Sequence, residues 1–312
     1  MNAANPTYPA TEVPTWRSVL TRSETSELLR VRRWRGLGLV VTNWSLIAAA
    51  MALVAVWPNP LTVVAALFLI GARQLGLAVG MHEAAHRTLL KNRRLNDWVG
   101  SWLCAYPIWS DCHVYRPYHL KHHAKTGSPE DPDIGLIRPF PITRQSLRRK
   151  IVRDLSGQTG LKFARAAFRR TFGQWRQSRN ARRAALGFAI SNGVLLGVLV
   201  LAGHPALYLL WVVAFLTTHT LVTRIRAIAE HALTPSADDP LGNTRTTLLH
   251  AWERLLVGPN RVNFHLEHHL LMTVPYYNLP RMHRLLQERG ALDHACIEPG
   301  GYLPILRNAS RA

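Results

Sequence analysis

Four long apolar runs restrict the possible folds of this chain more than any other feature. They cover residues 39–58, 61–81, 185–202 and 206–224. Each is close to the roughly 20 residues that a helix needs to cross a hydrocarbon core. Helices and closed barrels are the structures that satisfy every backbone hydrogen bond inside a membrane. We therefore predict an all-α integral membrane protein with four transmembrane helices.

The charges between these runs predict how the helices are connected. The connectors at 57–60 and 202–206 are short and contain no Lys or Arg, whereas the long segment 82–184 is rich in both. Because basic loops stay in the cytoplasm, we expect two helical hairpins. The N-terminus, the segment 82–184 and the segment 225–312 should then form a helical cap on the cytoplasmic side.

The excess of 38 Lys+Arg over 18 Asp+Glu is compatible with nucleic acid, anionic lipid or an acidic protein as a partner. The apolar runs favour lipid, and we expect no nucleic acid partner. Segment 143–184 alternates arginines with apolar residues. It is typical of amphipathic helices on anionic lipid or of a docking surface for an acidic redox partner.

We expect the chain to consist of a mobile tail, residues 1–30, and one domain. The tail begins with a polar, proline-bearing stretch and is not expected to be a signal peptide, because it lacks a basic start followed by an apolar run. Residues 31–312 contain all four apolar runs and show no dinucleotide-binding or P-loop pattern. The shorter run 98–109 is too short to span a membrane and is expected to be interfacial or re-entrant.

Most of the 15 histidines concentrate in three motifs. The motifs are MHEAAHRT (His82, His86), PYHLKHHAKTG (His119, His122, His123) and NFHLEHHLLMTVP (His265, His268, His269). Offsets of three and four residues place the imidazoles of each motif on one side of a helix. Eight imidazoles are more than one tetrahedral zinc can bind, so the motifs predict a two-metal site.

Local signals predict where the two later helices begin and end. Pro117 suits the first turn of a helix that Gly127 closes, and Asn263 can cap a helix that stops before Pro275. The remaining histidines are expected to be non-ligands: His113, His204, His219, His250, His283 and His294.

Two other classes of protein fit part of the pattern. HEAAH matches the HExxH helix of zinc proteases, but that function leaves both HxxHH motifs unused. Without it, Glu83 is expected to orient a ligand imidazole. A metal transporter would place its ligands near the middle of the membrane, whereas these motifs flank the apolar runs.

The order HxxxH, HxxHH, HxxHH, with two hairpins between the motifs, resembles the membrane fatty acid desaturase superfamily over residues 62–285. The stretches RIRAIAEHA at 224–232 and LLVGPNRVNFHLEHHLLMTVP resemble its bacterial branch. The resemblance implies a bacterial inner (plasma) membrane protein, a ninth ligand at His231 and a di-iron centre. Spacing alone would also allow zinc, copper or nickel.

The resemblance also implies an activity. We expect an oxygen-dependent oxidase, with desaturation of a fatty acyl chain as the first expectation and hydroxylation or ketolation of a carotenoid or other apolar lipid as the alternative. Trp98, Trp102, Trp109 and Trp211 are expected to belong to interfacial belts; the alternative is that Trp109 or Tyr115 lines an acyl tunnel. Electrons must come from a ferredoxin- or cytochrome-type donor, because the sequence has neither a dinucleotide fingerprint nor a haem-binding HPGG motif.

Overall fold

The computed structural model describes residues 15–311, which are mostly helical. Four helical segments in this range are long and apolar enough to cross a membrane: Arg22–Val56, Pro60–His86, Arg179–Leu201 and Leu207–His231. The first is interrupted at residues 29–32 and the last is bent at Thr217. The predicted all-α membrane fold is therefore confirmed. The helices extend beyond the apolar runs because a helix can continue into water after its apolar part ends.

The helices, in chain order, are α1 (Arg22–Leu28), α2 (Arg33–Val56), α3 (Pro60–His86), α4 (Arg93–Val99), α5 (Cys112–Lys125), α6 (Ile134–Ile137), α7 (Arg144–Leu155), α8 (Gln158–Thr171), α9 (Arg179–Leu201), α10 (Leu207–Leu216), α11 (Thr218–His231), α12 (Ala251–Leu256), α13 (His265–Leu270), α14 (Leu279–Glu288) and α15 (Tyr302–Ala309). A π-helical turn (Gly100–Ala105) and a 3-10 turn (Tyr106–Ile108) follow α4. Strands β1 (Thr246–Thr247) and β2 (Ile297–Glu298) form a parallel pair.

Helix α3 occupies the centre and packs against α2, α5, α10 and α11. The Asn59 side chain caps it by accepting the backbone N–H groups of Leu61 and Thr62, and Pro60 takes the first helical position, where a missing N–H costs nothing. Its other end is set by Arg87, which has a left-handed φ of 63°. The HxxxH motif therefore lies in the last turn of the central helix.

The fourth span is bent between α10 and α11. Thr217 leaves helical geometry, with φ −118° and ψ −86°, and Thr218 Oγ1 donates a hydrogen bond of 2.6 Å to the carbonyl of Leu67 on α3. A Cβ atom at Gly71 would lie 2.2 Å from that hydroxyl oxygen, so glycine permits the close approach of the two helices. Beyond the bend, α11 continues to His231.

The irregular segment 93–108 packs between α3 and α9. The Asn96 side chain donates to the carbonyl of Ala84 at 2.9 Å, which joins the segment to the end of α3. Tyr106 is buried against Gly187 on α9, where any side chain would collide with the aromatic ring. The segment thus fills the space beside the central helix.

The N-terminal region contributes helix α1. Residues 1–14 of the predicted mobile tail lie outside the described residues. In the remainder, Leu28 is fully buried, and its carbonyl accepts a 2.7 Å hydrogen bond from Asn278. The Arg289 guanidinium pairs with Glu24 at 2.6 Å. These contacts hold α1 against α14.

Two predicted helix boundaries are wrong. Helix α5 begins at Cys112 because Asp111 accepts the N–H groups of His113 and Val114, and Pro117 lies inside the helix, where it removes a single backbone hydrogen bond. Asn263 does not cap α13. Its side-chain amide instead donates to the carbonyl of Thr247 at 2.7 Å.

Candidate metal centre

The structure brings all nine predicted histidines together in two groups. Within each group, one ligand atom per residue lies within 4.8 Å of all the others. The five-histidine group consists of His82, His86, His119, His123 and His268, and the four-histidine group consists of His122, His231, His265 and His269. The other six histidines of the chain belong to neither group.

The repeated HxxHH motif is explained by this division. In α5, His119 and His123 join the five-histidine group, whereas His122 joins the other. In α13, His265 and His269 join the four-histidine group. Side chains four residues apart point in directions that differ by about 40° around the helix axis. A side chain three residues along points about 60° to the other side of the first one. Each motif can therefore supply ligands to both groups from one helix face.

The ring nitrogens face one another. The Nε2 atoms of His119 and His268 each lie 3.0 Å from His123 Nε2. In the second group, His265 Nε2 lies 2.8 Å from His231 Nε2 and 3.1 Å from His269 Nε2. Nitrogens that share an ion at about 2.1 Å lie at about this separation from each other.

Hydrogen bonding alone does not account for these contacts. A neutral ring nitrogen offers either one proton or one lone pair, so His123 Nε2 cannot form good hydrogen bonds to two other Nε2 atoms at once. The buried Nε2 atoms of His82 and His86 have no hydrogen-bond partner among residues 15–311. Buried polar atoms are normally satisfied, and the donor set fits two bound metal ions.

The charge state of these rings also suits metal binding. Burial, together with neighbouring imidazoles, lowers the pKa of His119, His265, His268 and His269 well below the usual value. The same causes lower the pKa of His123 to about 2. The rings are therefore neutral near pH 7, which is the form that binds a metal.

Asp131 fixes the orientation of His122. Its Oδ1 lies 2.8 Å from His122 Nδ1, and it accepts the backbone N–H groups of Gly127 and Asp133 at 3.0 and 2.8 Å. Burial raises the pKa of the Asp131 carboxyl group, but these hydrogen bonds outweigh burial and bring that pKa below its usual value. The carboxylate holds the proton on Nδ1 and leaves Nε2 free for a metal.

Two further side chains, those of Thr126 and Glu230, lie next to the four-histidine group. Thr126 Oγ1 lies 3.2 Å from His269 Nδ1. Glu230 lies 3.6 Å from His265 Nε2 and pairs with Arg226 at 2.6 Å. Glu230, like Asp131, was not predicted as a site residue, although it stands next to His231 in the sequence.

Glu267 lies inside the HLEHH motif but points away from both groups. Its carboxylate is 2.6 Å from His283 Nδ1 and accepts a 2.5 Å hydrogen bond from Thr246 Oγ1. It thereby fixes α13 between α14 and β1. His283, expected to be a non-ligand, has a structural contact instead.

Glu83 lies beyond hydrogen-bonding distance of its neighbouring ligand. Its Oε1 is 3.8 Å from His82 Nδ1. The carboxylate accepts the hydroxyl of Thr88 at 2.8 Å and the backbone N–H of Tyr276 at 3.1 Å. The expected role in orienting an imidazole is replaced by a connection between the end of α3 and the segment after α13.

A cavity of about 470 Å³ lies beside the five-histidine group, and His82 forms part of its wall. Trp109 and Tyr115 both line it. The Tyr115 ring stacks on His119 with centroids 4.9 Å apart. The walls are mainly apolar, with Arg226 among the polar exceptions. The cavity therefore meets the five-histidine group at the His82 ring.

The fold and the paired histidine groups are those of a membrane protein with a histidine-rich site that could hold metal, and comparison with known proteins gives its family. The family described as Fatty acid desaturase matches residues 57–297. The chain belongs to this family.

Three individual relatives are similar to the chain. A dihydrorhizobitoxine desaturase from Bradyrhizobium elkanii is 31% identical over 271 residues, which cover 80% of this chain and 75% of the relative. A zeaxanthin 4-ketolase from Chlamydomonas reinhardtii is 38% identical over 80 residues, or 25% of this chain and 18% of the ketolase. A beta-carotene 4-ketolase from Protosiphon botryoides is 34% identical over 85 residues, covering 27% and 21%. Desaturases and ketolases thus both resemble the chain.

Proposed function

We propose that this protein is an oxygen-dependent di-iron oxidase that introduces a double bond into a fatty acyl chain. The observation that carries the proposal is the convergence of nine histidines in groups of five and four beside a mainly apolar cavity. Neutral nitrogen ligands suit iron, but also zinc or copper. Membership of the desaturase family supports the choice of iron.

Two bound irons would supply the reduction of dioxygen that drives C–H oxidation. Desaturation removes two vicinal hydrogens as O2 is reduced to two waters, with two electrons and two protons from outside the chain. We propose that a ferredoxin- or cytochrome-type protein supplies the electrons. The chain itself holds the ligands in place, excludes bulk water and positions the substrate.

Named side chains perform these tasks. His82 and Tyr115 would lie against the part of the substrate that reacts, because both line the cavity. Stacking of Tyr115 on His119 fixes the ligand ring and the cavity wall together. Asp131 holds His122 through its Nδ1 proton.

Hydroxylation or ketolation of a carotenoid is the second candidate. It is supported by the similarity to two carotenoid ketolases and by polar residues in the cavity wall, including His219, Thr220 and Thr223. Such groups would suit an apolar substrate that carries an oxygen atom. The longer match to a desaturase favours desaturation.

The product distinguishes the two candidates. The protein should be expressed in a bacterial host with a simple lipid profile, and total lipids should be measured by mass spectrometry with and without oxygen. Oxygen-dependent loss of two hydrogens from an acyl chain is expected. Gain of an oxygen atom by an acyl chain or another apolar lipid would instead assign the hydroxylase or ketolase activity. Expression in a host that also makes carotenoids tests the ketolase activity directly.

We further propose that the protein lies in the bacterial inner membrane with both termini and the nine histidines in the cytoplasm. The distribution of Lys and Arg around the four spans supports this orientation. Reporter fusions at Asn59 and His204, in the two short connectors, should report the outer side. A cytoplasmic signal at either position would reverse the assignment.

A further inference from the structure

Helix α8 separates the cavity from the surroundings of the protein. One face of the helix forms a wall of the cavity, through Thr159, Gly160, Phe163, Ala166, Ala167 and Arg170. A Cβ atom at Gly160 would lie 2.2 Å from the carbonyl oxygen of Leu216, so the helix backbone packs tightly there. Because Leu216 is the last residue of α10, α8 packs at the bend between the two helices of the fourth span.

The opposite side of α8 combines exposed apolar and basic residues. Leu161 and Phe168 are 42% and 52% exposed, and their spacing of seven residues places them on the same side of the helix. Beside them, the side chains of Lys162, Arg165 and Arg169 are also exposed. Their spacing of three and four residues gives a second, basic stripe. We call these five residues the outer face of α8.

The basic stripe has no counter-charge within the described part of the protein. Asp154 is the only acidic residue in the sequence between 134 and 229, and its carboxylate already pairs with Arg224 at 2.8 Å. None of Lys162, Arg165 and Arg169 forms an ion pair with any of residues 15–311. The outer face therefore suits an anionic partner.

We propose that the outer face of α8 rests on anionic lipid head groups at the surface of the membrane that the fourth span, Leu207–His231, crosses. A basic stripe next to an apolar stripe is what a helix needs to lie in a lipid interface. An acidic soluble protein would match the charges alone, and Leu161 and Phe168 would then remain large exposed apolar groups. The contact of Gly160 with Leu216 holds both stripes next to a membrane-spanning segment.

This inference goes beyond the proposed reaction and concerns how the cavity is presented to the membrane. Leu136 and Phe163 line the cavity and are 55% and 54% exposed, which marks where the cavity opens. Since Phe163 belongs to α8, lipid contact on the outer face would hold this opening at the bilayer surface. Apolar molecules dissolve in the hydrocarbon core directly below that surface.

Hydrogen exchange of the backbone of residues 158–171 tests the proposal. The full-length protein would be placed in nanodiscs of phosphatidylcholine, or of phosphatidylcholine with phosphatidylglycerol. Because amide exchange reports local opening, we expect exchange about threefold slower in the anionic discs. The triple variant Lys162→Gln, Arg165→Gln, Arg169→Gln should lose this difference.

A matched variant controls for the loss of charge. Lys91→Gln, Arg281→Gln, Arg284→Gln removes three exposed basic residues elsewhere and should keep the slower exchange in anionic discs. Equal exchange of the unaltered protein in both lipids would overturn the proposal, as would an equal effect of the two triple variants.

Adding an acidic ferredoxin to the neutral discs tests the competing partner. If ferredoxin slows exchange in residues 158–171 and anionic lipid does not, the outer face binds a protein and the lipid proposal is wrong. None of these measurements depends on turnover. A negative result in hydrogen exchange would therefore leave the proposed oxidase activity standing. If the protein proved not to be an oxidase, the hydrogen-exchange results would still test lipid binding.

Discussion

The two histidine groups differ in what surrounds their rings. In the four-histidine group, Asp131 bonds His122 at 2.8 Å and Thr126 Oγ1 lies 3.2 Å from His269 Nδ1. In the five-histidine group, Glu83 stays 3.8 Å from His82 Nδ1. The five-histidine group has a ring in the cavity wall through His82. Two rings of the four-histidine group have polar contacts behind them, whereas the five-histidine group faces the cavity through His82.

This difference teaches that the two proposed metal positions are not equivalent. Contacts behind a ligand fix its tautomer and orientation before a metal arrives. A position with these contacts tolerates little change, whereas the cavity side has to leave room for a substrate. Substitutions near the four-histidine group should therefore lower metal content or affinity, and substitutions in the cavity wall should lower the rate at which substrate is turned over.

Loss of His231 should have the largest effect. His231→Ala removes one of only four nitrogens of its group, so iron content should fall towards one ion per chain. Activity should disappear as completely as in His268→Ala, with the protein still folded in detergent. Iron analysis and turnover measure both outcomes.

His113→Ala and His250→Ala are the controls for this prediction, because neither residue belongs to a histidine group. Both variants should keep iron and most activity. Full iron and turnover in His231→Ala, together with their loss in His250→Ala, would show that the ninth ligand is assigned to the wrong residue.

Asp131→Ala should weaken one position and spare the other. Loss of a carboxylate behind a ligand histidine typically costs about 10–100-fold in metal affinity. Iron titration should therefore show one weakened site and one unchanged site. The exposed Glu130, in the same loop, provides the control Glu130→Ala. Equal weakening of both sites would contradict the difference between the groups.

His283→Phe should affect both positions equally but less severely. It leaves the buried Glu267 without its 2.6 Å partner, and a buried group that loses a partner costs about 1–3 kcal/mol. Helix α13 supplies ligands to both groups, so thermal unfolding should shift while the two sites keep equal occupancy. Selective loss from one site would show that α13 does not move as a unit.

Tyr115→Leu should give the smallest change in the metal and a clear change in catalysis. The variant removes the ring that stacks on His119 and lines the cavity. We expect full iron content and a kcat/KM about tenfold lower, which corresponds to about 1.4 kcal/mol. Tyr115→Phe keeps the ring and should keep most of the activity. Loss of iron in Tyr115→Leu would place Tyr115 among the supports of the metal.

The sequence predicted the spans and the histidines because both depend on local patterns. Runs of about 20 apolar residues identify membrane helices without reference to the rest of the chain. The offsets of three and four in each HxxHH motif likewise place its ligands together. The division of each motif between two groups was not predicted, since it depends on how α5 and α13 are placed relative to each other in the folded chain.

Contacts that form only in the folded chain explain the features that the sequence does not predict. Asp131 follows its partner His122 closely in the chain, but only the turn after α5 brings the carboxylate behind the ring. Asn263 has the sequence position of a helix cap, but its side chain donates a hydrogen bond to the carbonyl of Thr247 instead. The bend at Thr217 interrupts an apolar run whose composition gives no sign of it.

Iron content of the purified, unaltered protein tests the central claim most directly. Elemental analysis should find about two irons per chain, as two groups of histidine ligands require, and X-ray absorption should show nitrogen neighbours at both. Turnover should need oxygen and an external reductant. One zinc per chain with activity that needs no oxygen would contradict the account and return the HEAAH motif to the role of a zinc protease helix.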